Sequence, residues 1–592
     1  MPNLTSFPDL PKLLRHAVGR DVEDDASTWA LVDLHGDYPT FQGRPLESLL
    51  GRAESLESLT ARLDQLAHLA SVTGVLVRIV NLTAGLAACE AISRALARLQ
   101  DHRRVVAYLP QVTMRSLLAA GGVREVVAPE SAEVMLPGFA AERVYYGELL
   151  SRRGIGFENL RIREYKSALT SFSDDHMDEF EREQLTAYLD SAERTWLAAV
   201  GRHVAEPVEP AEPAEPAEPV EPVEPTTSAA PDAPRTESDT QSAAPAAEHV
   251  ESAPTALTAE VLDAGFSNAA QLLDAGLITR IAYDDEIAVP TEQDWSRALQ
   301  LAGARMAGRR RSKKADGIAV VPVAGAIVSG RSRPSAPLFG GGTAGSETVV
   351  AGLRRAERDE HTKAIVLHVD SGGGSALASD VICRAVARCT KPVIAVMGEV
   401  AASGGYYVLA PADHVVASPF TLTGSIGVVV GKPVITDLNG RIGRNPETVG
   451  REMALFGSPN RAFSGGERAW AERMMDEVYG RFVARVAEGR HLDRGRVDEI
   501  GRGRIWSGAD ALDRGLVDEL GDLEAGLAAA RRLAGLPDDA PVRPVSGGFS
   551  LPGMPSFGKD PGAAVVGAAL AAVWPFGEER VLAWFDSSVT IR

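Results

Sequence analysis

The sequence predicts an α/β fold that occurs twice in one chain of 592 residues. Apolar, β-branched runs alternate with helical stretches; they include IAVVPVAGAIV (318–328), KAIVLHVD (363–370), KPVIAVM (391–397) and DHVVAS (413–418). Such continuous runs are typical of parallel strands covered by helices on both faces. Short segments of the two halves also match each other, and a chain of this length is too long for a single core.

The internal repeat is visible in short matching segments. Gly201 corresponds to Gly489 at an offset of 288, and AAQLLDAGLITRI (269–281) corresponds to GADALDRGLVDEL (508–520) at an offset of 239. The difference, 288 minus 239, is 49 residues, which is close to the length of the segment 205–254. That segment opens with seven glutamates, each followed by proline, and such a tract favours polyproline II over a packed core. We expect a disordered insertion, with a binding stalk or spacer as the alternative.

These observations divide the chain into consecutive parts. We predict a degenerate first repeat at 1–304 that contains the insertion 205–254, a basic linker at 305–316, a second repeat at 317–535 and a C-terminal tail at 536–592. The repeat offset also predicts that the fold closes without the insertion, since the second half joins the corresponding elements directly.

Composition limits the classes of partner and site. The net charge is −19, but residues 205–254 supply −11 of it through 12 acidic residues and one arginine, so the remainder is only mildly acidic. We therefore expect no nucleic acid partner. The cysteines are Cys89, Cys383 and Cys389, an odd number with neither a disulfide framework nor zinc-ligand spacing. No metal or cofactor site is predicted.

The sequence predicts a cytoplasmic protein. Its first 20 residues contain no apolar core of signal-peptide length, and no apolar run reaches the ~18 residues of a membrane-spanning helix. Peripheral contact with the inner face of the membrane stays open through the basic cluster 305–314 or the apolar stretch 563–573.

The most informative residues for chemistry are a serine and a distant lysine. Ser403 lies in AASGGYY, where small neighbours permit a sharp turn, and Lys166 lies in REYKSALTSF. In the repeat alignment Ser403 is opposite Arg115 and Lys166 is opposite Ala454. The first half therefore lacks the serine, and the second half lacks the lysine. A single site with a serine nucleophile and an amine base requires both halves, and burial of the amine would free it from its proton.

A glycine-rich turn adds a candidate anion site. Gly372–Gly374 stand between a predicted strand and a predicted helix in DSGGGSALASDVI, whereas the first half has approximately residues 82–84 there. A turn at a helix start presents free backbone N–H groups that suit an oxyanion. Such turns are also common as plain tight turns.

The run AASGGYY, the LTGSIG that places Ser425 22 residues after Ser403, and the YKSA around Lys166 resemble the signal peptide peptidase A (protease IV) family in its long, duplicated form. The resemblance covers roughly residues 28–203 and 255–535. It implies two tandem crotonase-like repeats, related in fold to the Clp protease subunit. It further implies a homo-oligomer that needs no cofactor and degrades cleaved signal peptides or other apolar peptides. The site residues that it implies are Ser403 as nucleophile, Lys166 as base, Ser425 as support for the lysine, and Gly373, Gly374 and Gly404 as oxyanion hole.

Other readings stay open at this point. His368 and His414 lie in strands of the second half, so a histidine could replace lysine as the base. An inactive scaffold that kept the fold, and an acyl-CoA enzyme of the crotonase type, are the alternative functions. The intact serine, lysine and glycine turn favour the peptidase over the scaffold. The acyl-CoA enzyme shares the fold and an oxyanion hole but would not require a serine nucleophile or a buried lysine.

Overall fold

The computed structural model describes residues 28–41, 54–69, 72–201, 262, 265–287, 315–333, 342–545, 581–584 and 590–591. The insertion 205–254, the basic cluster 305–314 and the apolar stretch 563–573 all lie outside these ranges. Among the described residues no helix is both long and apolar enough to cross a membrane.

The first half alternates strands and helices. Its strands are β1 (Thr28–Gly36), β2 (Val72–Leu82), β3 (Arg104–Tyr108), β4 (Gln111–Thr113), β5 (Glu125–Ala128), β6 (Glu133–Met135), β7 (Ala141–Glu142), β8 (Gly156–Arg161) and β9 (Arg280–Ile281). Its helices are α1 (Leu56–His68), α2 (Leu86–Gln100), α3 (Met114–Ala120), α4 (Gly147–Arg152), α5 (Thr170–Ser173), α6 (Glu179–Val200) and α7 (Ala269–Asp274).

The second half repeats this order. Its strands are β10 (Gly317–Ala324), β11 (Ala326–Val328), β12 (Thr343–Gly345), β13 (Thr362–Ser371), β14 (Gly373–Ser375), β15 (Val393–Ala402), β16 (His414–Ala417), β17 (Leu422–Gly424), β18 (Val429–Val434), β19 (Ile505–Ser507), β20 (Glu519–Leu520) and β21 (Val542–Pro544). Its helices are α8 (Ser346–Arg358), α9 (Ala376–Ala387), α10 (Gly404–Leu409), α11 (Thr436–Arg441), α12 (Gly465–Gly489), α13 (Arg494–Ile500), α14 (Gly508–Asp513) and α15 (Leu523–Ala534). Two further strands follow, β22 (Val581–Trp584) and β23 (Thr590–Ile591).

The two main sheets have the same topology. In the first half the strands lie in the order β1-β2-β3-β5-β9, and in the second half β10-β13-β15-β16-β20; every one of these pairings is parallel. Parallel sheets need cover on both faces, which explains the unbroken apolar runs of the sequence. The prediction of a tandem α/β repeat is therefore confirmed.

The long helices of the two halves also correspond. Helix α6 begins after Asp178, whose side chain accepts from the backbone N–H of Glu181, and helix α12 begins at a capping box of Ser464 and Glu467. Helix α6 ends at the C-cap Gly201, and helix α12 ends at Gly489. The Gly201–Gly489 correspondence seen in the sequence thus marks equivalent helix ends.

A third sheet joins the halves. Its order is β12-β11-β14-β22-β18-β8, so β8 of the first half pairs with β18 of the second along six residue pairs, from Val429↔Arg161 to Val434↔Gly156. The segment expected to be a tail contributes to sheets as well. Strand β21 extends the second main sheet beside β10, and β22 completes the third sheet.

The apolar cores of the halves interlock. Phe420, Leu422 and Ile505 of the second half are buried in the core of the first half, while Leu160 and Ile162 of the first half are buried in the core of the second. Burial of such side chains is the main favourable term in folding, so the halves stabilise one another. The thiols of Cys89 and Cys383 are free and buried, and that of Cys389 is free and half-buried.

Candidate active site

Ser403 lies at the tight junction between strand β15 and helix α10. It is the N-cap of that helix, with φ 54° and ψ −117°, and its side chain is fully buried. A positive φ is costly for a serine and is stabilised here by a bond from its backbone N–H to the carbonyl of Gly424 at 2.8 Å. Gly405 is required because a Cβ there would lie 2.3 Å from the carbonyl oxygen of Ser371.

Strand β8 of the first half places Lys166 against the second half. After β8 ends, the backbone N–H of Ile162 donates one more hydrogen bond across the contact, to the carbonyl of Val428 at 3.0 Å. The backbone then enters the core. The Lys166 side chain is 1% exposed. Room for it depends on two glycines, since a Cβ on Gly427 would lie 3.1 Å from Lys166 Cδ and one on Gly503 2.6 Å from Lys166 Cβ.

The amine of Lys166 meets both candidate serines. Its Nζ lies 2.7 Å from Ser403 Oγ, 2.9 Å from Ser425 Oγ and 3.0 Å from the carbonyl oxygen of Ser425. Burial lowers the pKa of Lys166 well below its usual value, because an ammonium group is poorly solvated there. The structure thus brings together three residues that are separated by up to 259 positions in the sequence.

Ser425 is held rigidly behind the amine. It has φ 50°, and its backbone N–H donates to the carbonyl of Arg504 at 2.7 Å. Its side chain is 1% exposed. A hydroxyl and a carbonyl from one residue therefore both accept from Lys166, which fixes the direction of the amine toward Ser403.

The candidate oxyanion glycines lie near Ser403 in two different elements. Gly404 is the first residue of helix α10, where backbone N–H groups have no partner within the helix. Gly373 and Gly374 form most of strand β14, which packs against α10, and have φ values of 92° and 156°. The N–H of Gly373 donates to Ser371 Oγ at 3.0 Å, so an oxyanion would compete with that hydroxyl.

The histidine alternatives lie elsewhere. His368 is buried with Phe41 edge-on against its ring, and burial lowers its pKa to about 4. It lines a cavity of about 1150 Å³ between the halves, together with Asp370 and Glu399, and neither Ser403 nor Lys166 lines that cavity. His414 Nε2 instead lies 2.9 Å from a carboxylate oxygen of Glu519.

Two supporting contacts around Lys166 were not visible in the sequence. Arg143 forms a buried ion pair with Glu181, and an Nη2 of the same arginine donates to the carbonyl of Ser167 at 2.7 Å. Gln184 Nε2 donates to the carbonyl of Tyr165 at 3.1 Å. The backbone on both sides of Lys166 is thereby fixed. No spacing or motif relates these residues to Lys166, because their contacts depend on how α6 packs.

A further residue that the sequence did not reveal is Glu399, four positions before Ser403. Its carboxylate accepts from the backbone N–H of Ala88 at 2.8 Å and from that of Ala87 at 3.2 Å, both at the start of helix α2 in the first half. Burial raises the pKa of Glu399 to about 7, although these N–H groups favour the charged form. Within the residues that the structure describes, no cluster of His, Cys, Asp and Glu could hold a metal ion.

Fold and site together define an α/β protein with a buried serine–lysine pair shared between tandem repeats. Peptidase family S49 matches residues 97–212 and 386–537, ranges that include Lys166 and Ser403 respectively. The protein named "Putative protease slr0021" of Synechocystis sp. is 31% identical over 228 residues, which are 38% of this chain and 76% of that protein. The chain belongs to Peptidase family S49.

Longer relatives match most of the chain. Serine protease SPPA, chloroplastic, of Arabidopsis thaliana is 28% identical over 488 residues, 78% of this chain and 63% of the relative. Protease 4 of Salmonella typhi is 28% identical over 457 residues, 75% of this chain and 66% of the relative. The chain thus spans slightly less than two thirds of these two proteins. Among solved structures, a ClpP1 mutant from Listeria monocytogenes matches 35% of this chain and 94% of its own, with 17% identity and a TM-score of 0.23.

Proposed function

We propose that this chain is a serine endopeptidase that uses Ser403 as nucleophile and Lys166 as general base. The observation that supports this most directly is the 2.7 Å separation of Lys166 Nζ from Ser403 Oγ inside a buried site. A serine hydroxyl is a weak nucleophile until a base accepts its proton. A lysine amine serves as that base only where its pKa is depressed, and burial provides this here.

The hydrogen bonds around the amine fit the neutral form. A neutral amine has two N–H donors and one lone pair. The two donors match the hydroxyl and the carbonyl of Ser425, and the lone pair then faces the Ser403 hydroxyl. Ser425 in this scheme is a positioning residue, because it orients the base and does not touch the substrate.

The reaction follows acyl-enzyme chemistry. Ser403 Oγ attacks the peptide carbonyl carbon while its proton passes to Lys166 Nζ. The carbonyl oxygen becomes an oxyanion that receives N–H donors from Gly404 and from the Gly373–Gly374 strand. Lys166 returns the proton to the leaving amine, and the C–N bond breaks. Water then attacks the ester while its proton passes to the same amine. The acyl C–Oγ bond breaks, and Lys166 returns the proton to Ser403 Oγ, which restores both residues.

The substrate class in this proposal is extended, apolar peptide, including cleaved signal peptides. Supporting it is an apolar cluster beside the lysine, formed by Ala168, Leu169 and Val429 with Phe157 and Phe172 packed around it. Burial of an apolar substrate side chain against such a surface favours binding, because it removes apolar area from water. Two of its members, Ala168 and Leu169, lie two and three residues after Lys166.

A fluorophosphonate probe tests the activity and its class. Such probes phosphonylate an activated serine, so we expect labelling at Ser403 in the wild-type chain and none in Ser403→Ala. Lys166→Met should abolish labelling without unfolding the chain. Cleavage of a fluorogenic apolar peptide should disappear in parallel. A chain that shows neither labelling nor hydrolysis would instead be the inactive scaffold, and acyl-CoA turnover without serine labelling would identify a crotonase-type enzyme.

Assembly and location complete the proposal: a homo-oligomer in the cytoplasm, with weak peripheral attachment to the inner membrane face through the basic cluster 305–314. Light scattering after size exclusion measures the assembly, and a monomer at micromolar concentration contradicts it.

Membrane attachment through exposed cations should be released by salt, because the Debye screening length falls to about 3 Å at 1 M salt. Membrane retention at high salt, with release by detergent, would point to the apolar stretch 563–573 instead.

A further inference from the structure

The cavity of about 1150 Å³ between the halves takes no part in the proposed reaction, because neither the proposed nucleophile nor the proposed base lines it. His368 and Asp370 of β13 and Glu399 of β15 line it from the second half, near the carboxyl ends of these strands. Asp37 and the start of helix α2 line it from the first half. Ligand sites in proteins commonly enclose about 300–1,000 Å³, so this cavity has room for a small molecule.

Three carboxylates from the two halves meet in this cavity. Asp370 Oδ1 accepts from the backbone N–H of Val400 at 3.2 Å, next to Glu399, whose carboxylate accepts from the start of helix α2. Burial raises the pKa of both Asp370 and Glu399, and the charge of Asp37 raises both further. Among the described residues none of the three carboxylates forms an ion pair. Because carboxylates withdrawn from water normally have a cationic partner, this cavity lacks one.

The ring of His368 is an independent indication of a ligand. His368 is 4% exposed and lines the cavity, and its ring packs edge-on against Phe41 with 5.0 Å between the centroids. Within the described part of the chain, its ring nitrogens form no hydrogen bond. Burial lowers the pKa of His368 to about 4, so the neutral ring has a lone pair that can accept an N–H group. A buried acceptor without a donor therefore lies beside the carboxylates.

The remaining charges around the cavity exclude an anionic ligand and favour an organic cation. Asp538 and Asp539 also line it. Of the two arginines in its lining, Arg531 is already paired with Glu524 at 2.7 Å, and Arg543 donates to a backbone carbonyl. No group of described residues has the arrangement of a metal site. A ligand with several N–H donors and a positive charge fits both the carboxylates and the neutral imidazole.

We propose that this cavity binds a small organic cation with protonated primary amines, and that Asp37, His368 and Asp370 accept its N–H groups. The site does not depend on the proposed peptidase activity. Because its ligand contacts both halves, binding stabilises the folded chain in which they are joined. A free linear polyamine and the lysine side chain of a peptide carry the same ammonium group, and the experiment distinguishes these two sources.

Calorimetric titration of the full-length chain with spermidine in 0.15 M NaCl tests the site. We expect one site per chain with a Kd below about 1 mM. Asp370→Asn and Asp37→Asn should each weaken binding about tenfold or more, because each removes a charge-assisted hydrogen bond. Asp37 is exposed, so its variant stays informative even if Asp370→Asn does not fold. The exposed Glu148→Gln is the matched control and should not change Kd. No saturable binding, or equal binding by Asp37→Asn and the control, overturns the proposal.

Two further titrations exclude binding by general charge. The segment 205–254 contains 12 acidic residues and also attracts polycations. A full-length chain with its seven repeated glutamates replaced by glutamine should keep the same Kd, and loss of binding there overturns the proposal. Mg²⁺ at the concentration of spermidine should not displace it, since a site that recognises N–H donors differs from a diffuse negative field. Displacement by Mg²⁺ equally overturns the proposal.

A competing peptide identifies the source of the ammonium group. Acetyl-Lys-Lys-amide is titrated beside spermidine into the wild-type chain and into Asp37→Asn. We expect the tenfold loss in the variant for whichever ligand binds more tightly, spermidine for a free polyamine site or the dipeptide for a peptide side-chain site. If neither ligand distinguishes the variant from wild type, the proposal is wrong. The Ser403→Ala background should give the same values, so failure of the proposed catalysis and failure of this site are separate results.

Discussion

The turn before helix α2 and the turn before helix α9 occupy equivalent places in the two repeats. They differ in which groups lie next to them. In the first half the start of α2 is filled by the carboxylate of Glu399, and a Cβ on Gly85 would lie 2.2 Å from that carboxyl carbon. In the second half the equivalent turn, Gly372–Gly374, leads through strand β14, which packs against helix α10, the helix that Ser403 caps. A helix start attracts anions in both cases. The first repeat uses its helix start to bind Glu399 of the second repeat. The second repeat has the equivalent helix start at the candidate site.

The same division applies to the proposed nucleophile and base. Ala454, the counterpart of Lys166, is exposed in a short 3-10 turn, whereas Lys166 is buried against the opposite half. Arg115, the counterpart of Ser403, lies within helix α3, which begins after the separate short strand β4. Strand β15 instead continues without interruption to Ser403. The duplication thus gave two copies of one α/β fold, and the candidate site lies at the contact between them.

The largest expected effect comes from replacing the proposed nucleophile and the proposed base, each of which occurs in only one half. Ser403→Ala should lower kcat for peptide hydrolysis about 10⁴-fold, and Lys166→Ala should lower it about 10²–10⁴-fold, because an unactivated hydroxyl attacks an amide slowly. Lys166→Arg should not restore activity, since guanidinium stays protonated. The counterpart change Ala454→Lys should leave kcat unchanged. Steady-state kinetics on folded variants measure all four, and recovery of activity by the arginine variant would show that charge rather than basicity is needed at position 166.

The support behind Lys166 gives the next largest effect. Arg143→Met leaves Glu181 as an unpaired buried carboxylate and removes the bond to the Ser167 carbonyl, which should lower the free energy of unfolding by about 3–5 kcal/mol. The matched control is Arg152→Met, which breaks the exposed pair with Glu148 and should cost less than about 1 kcal/mol. Urea unfolding followed by circular dichroism compares them. Similar losses in both variants would show that the buried pair is not a special support.

The proposed nucleophile and base could be predicted from the sequence, whereas the residues that support Lys166 could not. The small residues around Ser403 and the family resemblance single out Ser403 and Lys166. The repeat alignment adds that neither residue has a counterpart in the other half, because duplication supplies an internal reference. Arg143, Glu399 and strand β22 have no such signal. Their partners lie far away in the chain. Only the packing of α6, the contact of β15 with the start of α2, and the pairing of β22 with β14 and β18 bring them into place. A short strand near the end of the sequence has too little periodicity to reveal its pairing.

The pH dependence of activity tests the burial of Lys166. The reaction needs the neutral amine, and burial holds its pKa well below that of an exposed lysine. We expect kcat/KM to rise about tenfold per pH unit on the acidic side and to level off well below pH ~10.4, the pKa of a free lysine. Labelling by a fluorophosphonate at each pH should follow the same curve. A profile that levels off only near the value for a free lysine would contradict a buried, depressed base.

The stability of the contact between the halves should also depend on pH, through Glu399. Its folded pKa of about 7 is above the ordinary value of 4.5, chiefly through burial and also through the nearby charges of Asp370 and Asp37. Between these values the folded state binds more protons than the unfolded state, so stability decreases as pH rises through this window. The loss is at most about 3–4 kcal/mol, since the two pKa values differ by about 2.5 and one pKa unit corresponds to about 1.4 kcal/mol.

Glu399→Gln isolates this effect. The amide cannot ionise, so the difference in unfolding free energy between wild type and variant should change in favour of the variant from pH 5 to pH 8. Urea titrations at both values measure it, with the exposed Glu148→Gln as a control that should show no such change. A constant difference across the window would mean that Glu399 does not titrate there.

The smallest expected effect concerns the segment 205–254, which the first half has and the second half lacks. Helix α6 ends at the C-cap Gly201 and helix α7 begins at Ala269, whereas helix α12 ends at Gly489 and the counterpart of α7 begins at Gly508. The second half therefore connects equivalent helices without the segment 205–254. Deleting that segment should leave kcat/KM on a short peptide within about twofold, as expected for an insertion at a site that the fold does not need. Replacing its seven repeated glutamates by glutamine at constant length is the matched control for charge. Loss of folding or of short-peptide cleavage in the deletion alone would make the insertion part of the working structure, and would show that the two repeats differ in architecture as well as in chemistry.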